Sequence, residues 1–246
     1  MEKDRDNRTV WLIALAACAV YGALAYFFVT PRSTDMVLRY APQADAFARG
    51  DWYHAFHPRQ GTIFQLLTGS LCFLTGMAGN KACQLVAVLS WCVATVPLFA
   101  LARRLFGRQV AFVSVALYLG NVDLAFLSFE GWRDNLRILP TLMVALGFLL
   151  TFGTGENLLP RRGCALVGLG MAALAMLRVD SFVICSLALA VYAALCLARR
   201  RWTEPLVAVA GWALGTLVQC VMVHAYTGWW VPVPQAIRFL GGGAQC

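Results

Sequence analysis

Residues 31–61 gather an unusual number of titratable side chains in a chain that is 60% hydrophobic and only 13% charged. Groups of this kind can exchange protons or ligate a metal ion. The carboxylates and imidazoles lie beside four arginines, and the whole set is Asp35, Asp45, Asp51, His54, His57, Arg32, Arg39, Arg49 and Arg59. Spacing also allows a simpler interpretation. Asp35 with Arg39, and Asp45 with Arg49, are i,i+4 pairs that each contribute about 0.2–0.5 kcal/mol to a helix.

His54 and His57 are three residues apart, which is a spacing that metal ligands can have. No third ligand with a recognisable spacing accompanies them, and the nine cysteines form no CxxC pair. Solvated histidines at a membrane interface are the simpler interpretation. The sequence therefore predicts neither a metal nor a cofactor.

Arg178 lies two residues before Asp180, in a short polar break between two apolar runs. An arginine in that position either pairs with the neighbouring carboxylate or binds an anionic ligand. The sequence leaves both alternatives open.

The elements that position these residues are long apolar segments. The mean hydropathy of +0.68 is typical of a polytopic membrane protein. A bilayer core of about 30 Å requires about 20 helical residues. The candidate runs are 10–29, 82–102, 109–129, 138–153, 163–177, 181–198 and 205–223. The first is too long for the core of a secretory signal, so we expect it to be a retained span.

The run 62–78 is apolar but diluted by Thr, Gln, Ser and Gly. Basic clusters favour the cytoplasmic side, and they lie at residues 3–8, 103–108, 161–162 and 199–201. All four fall on that side only if 62–78 does not cross. We therefore expect an all-α polytopic protein of about seven transmembrane helices, with a cytoplasmic N-terminus and amphipathic interfacial helices in the first outer loop, residues 30–81.

This topology places the charged islands on the outer face. Between 33 and 50, apolar residues recur at helical spacing, with Ser33 or Thr34 as the first cap and Gly50 as the end of the helix. Asp123 is expected roughly 21 Å along a straight span, in the outer part of the bilayer, where an ionisable residue is a functional candidate.

Several classes of function are excluded. The net charge of +8 comes from arginines in short loops, which set topology rather than bind nucleic acid. The sequence contains no G-x-S-x-G, Walker or H-E-x-x-H motif, so soluble hydrolase, nucleotide and zinc-protease chemistries have no support.

Five motifs follow one another in an order that resembles the GT-C class of integral-membrane glycosyltransferases, in the branch of protein mannosyltransferases and aminoarabinose transferases. They are TDMVLRYAPQADAFARGDW, HPRQGTIFQLLTGSLCFLTG, LFALARRLFGR, GLGMAALAMLRVDSF and YTGWWVPVP. The resemblance covers nearly the whole chain, residues 1–246, as a single transmembrane core. Family members usually have further spans and often a soluble outer domain after this core.

The resemblance implies a role for several residues. Asp35 matches the acid of the first outer loop and is the expected catalytic base, and Arg178 matches an arginine expected at the lipid phosphate. Tyr40 and His57 lie in the matched motifs and are expected to bind substrate, as is Asp180 beside Arg178. The loop containing Glu130, Arg133 and Asp134 is expected to help form the acceptor pocket.

The implied donor is a sugar on a polyprenyl-phosphate carrier, and the acceptor is a glycan, lipid or protein at the outer face of a bacterial inner membrane. Two departures qualify the resemblance: Arg59 replaces a proline of the second motif, and Asp35 has no adjacent acid. A non-catalytic assembly subunit and a transporter or flippase-like protein are the alternatives. Against the transporter, the sequence shows no internal repeat that pairs two broken helices.

Overall fold

A computed structural model describes residues 2–56, 61–153, 160–177 and 179–232, without the side chains of residues 2, 3 and 179–181. Every regular element in these ranges is helical. The α-helices are α1 (Glu2–Phe28), α2 (Ala41–Ala48), α3 (Trp52–Ala55), α4 (Ile63–Thr75), α5 (Gly79–Val93), α6 (Thr95–Phe106), α7 (Arg108–Leu119), α8 (Val122–Phe129), α9 (Asp134–Phe152), α10 (Pro160–Ala175), α11 (Val179–Ala198) and α12 (Glu204–Thr227).

Four helical stretches of the described chain are long and apolar enough to cross a bilayer: Asp4–Phe28, Gly79–Phe106, Asp134–Phe152 and Glu204–Thr227. A fifth is formed if α7 and α8, which meet at a bend of 48°, count as one span. These helices are those of a helical membrane protein. Seven spans are not confirmed, because α10 has only 16 residues, and the side chains of α11, a helix of 20 residues, are described only for Phe182–Ala198.

Helix α4 corresponds to the ambiguous run 62–78. Its 13 residues rise about 20 Å, which is less than the roughly 30 Å of a bilayer core. This length agrees with the prediction that 62–78 does not cross the membrane.

The chain forms two compact units, and the first consists of Met1–Arg49 and Leu67–Leu142. In it α1 packs on α5 through a core of Ala25, Val88, Trp91 and Cys92. A second core joins α1, α6 and α7, and its buried members are Val10, Phe99, Ala102, Ala111 and Val115. At the same end of this unit, the buried carboxylate of Asp6 contacts Arg103 and Arg108.

The second unit consists of Gly50–Leu66 and Met143–Cys246. Its core is formed by α10, α11 and α12, with buried Cys164, Val167, Met171, Leu189, Tyr192, Cys196 and Ala208. Helices α10 and α12 approach closely through small residues. A methyl group built on Gly211 would lie 2.6 Å from the backbone of Gly168, and one built on Gly215 would lie 2.6 Å from that of Ala172. Close backbone approach through small residues is typical of helix packing in membranes.

The helix expected between residues 33 and 50 is confirmed, with one difference. Met36–Tyr40 is a π-helical turn that leads directly into α2, and Gly50 follows the helix with a φ of +75°. Such π-turns are rare and often occur at functional sites. The ion pair expected between Asp45 and Arg49 does not form between these two described residues, and Oδ1 of Asp45 instead accepts the N–H of Gly79 at 2.7 Å, at the start of α5.

Candidate functional site

The segment that carries Asp35 is held by a carboxylate from a distant part of the first unit. Oε2 of Glu130 accepts the backbone N–H of Arg32 at 2.8 Å and that of Ser33 at 2.7 Å. Glu130 is only 7% exposed. Charge-assisted hydrogen bonds of this kind are short and strong, so Glu130 fixes the chain just before Asp35.

Glu130 reaches this position because α8 ends in a tight turn. Gly131 has a φ of +70°, and the N–H of Trp132 donates to the carbonyl of Leu127 at 3.0 Å, which is the 6→1 bond of a Schellman motif. A side chain on Gly131 would collide with the Met36 side chain. Glycine at this position therefore lets the turn after α8 approach the π-turn.

Two polar side chains at the start of α5 bind the end of α1, and one of them, Gln84, also binds the end of α8. Gln84 donates from Nε2 to the carbonyls of Val29 and Phe129, at 3.2 and 2.6 Å. Lys81 donates from Nζ to the carbonyl of Val29 at 3.0 Å. Neither residue was predicted from the sequence, although a lysine and a glutamine at the edge of an apolar run were the available signal.

A cavity of about 520 Å³ lies beside the fixed segment, entirely within the first unit. Its lining residues are Arg32, Ser33, Thr34, Asp35, Phe126, Glu130 and Trp132. Asp35 remains 38% exposed, while its Oδ1 lies 2.9 Å from Nη1 of Arg39. The i,i+4 ion pair expected from spacing therefore forms, and Asp35 also lines the cavity.

Tyr40 lies on the buried side of the π-turn and is 4% exposed. Its ring faces the guanidinium of Arg133, with 5.7 Å between Cζ and the ring centre. Burial raises the pKa of the phenol, the nearby Arg133 lowers it by less, and the charges of Asp35 and Asp134 raise it further. The phenol is therefore protonated at neutral pH.

The turn after α8 also carries polar atoms that no described residue satisfies. Nε and Nη1 of Arg133 are buried, and neither donates a hydrogen bond to any part of the chain that the structure describes. The same holds for Nε1 of Trp132. Buried donors normally have partners, so these atoms can accept a hydrogen-bond partner from outside the described residues.

Five of the predicted site residues belong to this region of the first unit. They are Asp35, Tyr40, Glu130, Arg133 and Asp134. Asp35 and Glu130 line the cavity, and the charges of Asp35, Arg133 and Asp134 act on Tyr40. Asp134 begins α9. Glu130 was expected in an acceptor pocket. It does line the cavity, but one of its oxygens is engaged by two backbone N–H groups.

The remaining predictions concern other parts of the chain. His57 and Arg178 lie outside the described residues, and Asp180 lies in the first turn of α11 with a side chain that is also outside them. His54 contacts Asp51, with 2.7 Å between Nδ1 and Oδ2.

Asp123 was expected within a straight span, and this prediction is wrong. It is an exposed residue in the first turn of α8, just after the bend. A carboxylate there is favoured by the helix dipole, which gives Asp123 a structural explanation.

No protein-family model, curated protein or solved structure matches the chain. The resemblance to GT-C glycosyltransferases therefore remains a prediction from the sequence motifs.

Proposed function

We propose that the protein is a glycosyltransferase that moves a sugar from a polyprenyl-phosphate carrier to an acceptor hydroxyl, with Asp35 as the general base. The observation that carries this proposal is the position of Asp35 at the cavity. Glu130 holds the backbone of Arg32 and Ser33, just before Asp35. A base must be held within reach of the proton that it removes, and a fixed backbone reduces the cost of that alignment.

The proposed reaction is a displacement at the anomeric carbon of the donor. The acceptor oxygen forms a bond to this carbon, and the bond from the carbon to the phosphate oxygen breaks. The electron pair of the broken bond leaves with the lipid phosphate, and the acceptor proton passes to Asp35. Arg178, which the family resemblance assigns to the phosphate, would stabilise the charge that develops there.

The apolar helices fit a lipid-borne substrate, since a polyprenyl chain is soluble in the bilayer. We propose seven crossings, a cytoplasmic N-terminus and a bacterial inner membrane as the setting. The site would then face outwards, where the acceptor is a glycan, lipid or protein of the cell envelope.

The Asp35–Arg39 ion pair favours a second candidate, a non-catalytic membrane subunit. In that case Asp35 would only stabilise the helix around the π-turn, since an exposed pair of this kind contributes a few tenths of a kcal/mol. The transporter alternative relied on Asp123 as a buried ionisable residue in a span. The position of Asp123 in the first turn of α8 has a structural explanation, so it no longer supports that alternative.

The test is transfer of labelled sugar from polyprenyl-phosphate-linked donors by the purified full-length protein in lipid nanodiscs. We expect labelled product that depends on both donor and acceptor, and that disappears when the donor is replaced by the free sugar. A protein that is folded and monodisperse but transfers nothing from a panel of donors, across envelope extracts as acceptors, would support the non-catalytic subunit.

A further inference from the structure

The most unusual polar group in the described chain is the guanidinium of Arg133. Its Nε and Nη1 atoms are buried without a hydrogen-bond acceptor among the described residues. Its one recorded contact there is the face of the Tyr40 ring. Arg133 as a whole is half-buried, but burial removes water from these two nitrogens, and unsatisfied buried donors on a charged group are costly.

Two of the neighbouring carboxylates are already engaged. Asp35 is paired with Arg39, at 2.9 Å, and Glu130 accepts two backbone N–H groups through Oε2. Neither makes a recorded contact with Arg133. The third carboxylate, Asp134, is also engaged in an interaction, and its negative charge acts on Tyr40. The positive charge of Arg133 is thus offset by nearby carboxylates only at a distance.

The residue before Arg133 supplies an independent observation. Nε1 of Trp132 is also buried without a described partner, and Trp132 lines the cavity of about 520 Å³. Three buried donors on two consecutive residues therefore have no acceptor within the described part of the chain. All three can only donate, so the missing group must be rich in acceptors, and the guanidinium selects for negative charge.

We infer that Arg133, with Trp132, forms a binding site for one oxyanion, a phosphate or carboxylate group, at the edge of the cavity that Asp35 lines. The site does not depend on sugar transfer. It is separate from the lipid phosphate that is assigned to Arg178. Its occupant is either a free anion or the anionic group of a lipid, and the two sources share the same recognition chemistry.

The experiment measures binding to the purified full-length protein in a neutral detergent, with inorganic phosphate and dodecyl phosphate as probes and dodecanol as the uncharged control. The readouts are the shift of the thermal unfolding midpoint and the change in tryptophan fluorescence. We expect saturable binding of at least one anionic probe and none of dodecanol. Binding of both probes indicates a free anion, and binding of dodecyl phosphate alone indicates a lipid-borne group.

Variants separate a binding role from a structural one. Arg133→Gln should weaken the binding of the anionic probe by about tenfold or more, which is the usual effect of losing hydrogen bonds to a charged group. Arg133→Lys should retain part of the affinity. Trp132→Phe should weaken binding by a smaller factor. Arg49→Gln, which changes an exposed arginine of the same unit, should leave binding unchanged.

The change in the unfolding midpoint of Arg133→Gln, measured without a probe, distinguishes a binding role from a structural role. A structural role of Arg133 predicts a lower midpoint. If Arg133 is an unfilled binding group, Arg133→Gln should keep or raise the unfolding midpoint in phosphate-free buffer. Two results would each overturn the inference: the absence of saturable binding of both anionic probes to the wild type, or wild-type probe affinity in both Arg133→Gln and Arg133→Lys.

Discussion

The carboxylate of Glu130 accepts the backbone N–H of Ser33 at 2.7 Å, and the two residues are separated by 97 positions in the sequence. This bond, with the matching one from Arg32, joins the turn after α8 to the segment that leads into Asp35. The position of the proposed base therefore depends on a residue that carries no proton in the proposed reaction.

Glu130→Gln tests this dependence. The amide keeps the size of the side chain but removes the charge that strengthens both hydrogen bonds, so we expect a loss of about 1–3 kcal/mol in the free energy of unfolding. Denaturant unfolding in detergent measures it. Asp123→Asn is the matched control, because Asp123 is an exposed carboxylate in the first turn of α8; it should cost less than about 1 kcal/mol. Equal losses in both variants would remove the special role of Glu130.

Asp6 is the corresponding anchor at the other end of α1. Its carboxylate is 2% exposed and receives hydrogen bonds from Nε and Nη2 of Arg108, both at 3.0 Å, beside Arg103 at 3.1 Å. Asp6→Asn should lower the unfolding free energy by about 1.5–3 kcal/mol, since it weakens a buried, two-pronged contact. Asp4→Asn, on the exposed side of the same helix, should change stability by only a few tenths of a kcal/mol. A smaller effect at position 6 than at position 4 would contradict this assignment.

Two glycines should respond to alanine with opposite signs. A methyl group on Gly211 would lie 2.6 Å from the backbone of Gly168, so Gly211→Ala forces α10 and α12 apart and should destabilise by about 1–3 kcal/mol. On Gly22 the nearest atom is Leu85 Cδ2, at an ordinary 3.7 Å. Gly22→Ala should therefore stabilise α1, by about 0.5–1 kcal/mol. An unfolding midpoint of Gly211→Ala at or above that of the wild type would show that the close approach of α10 and α12 does not limit stability.

The membrane topology is tested by labelling single cysteines from outside the cell, in a background without the native cysteines. Positions 104, 162 and 200 should be protected, and positions 51, 132 and 235 should react, as the positive-inside tendency predicts. Gln235 lies outside the described residues, and its expected side follows from the proposed topology alone. Strong external labelling at position 104 would mean that the run 62–78 crosses the membrane.

The local features of the fold were predictable from the sequence. Apolar periodicity and Gly50 predicted the helix of residues 34–48, and long apolar runs predicted the spans that contain α1, α5 with α6, α9 and α12. The bend between α7 and α8 was missed, although its signal was present. Gly120 and Asn121 interrupt the run, and the Asn121 side chain accepts the N–H of Leu124 as an N-cap.

The contacts that build the candidate site were not predictable in the same way. The bonds from Arg32 and Ser33 to Glu130, and from Gly79 to Asp45, join residues that are 34 to 98 positions apart. Local patterns carry no information about such pairings. Asp45 shows the consequence, because its spacing to Arg49 predicted a helix-surface ion pair and its actual partner is the start of α5.

The central claim is that Asp35 is a base, and the rate of sugar transfer by Asp35→Asn beside Arg39→Gln tests it most directly. Both variants break the ion pair, but only the first removes the proposed base. We predict that Asp35→Asn lowers the transfer rate by roughly 10²–10⁴, the usual range for general acid–base catalysis, while Arg39→Gln stays within a few-fold of the wild type. Near-native transfer by Asp35→Asn, or an equal loss in the two variants, would contradict the claim and leave Asp35 as one half of a helix-stabilising pair.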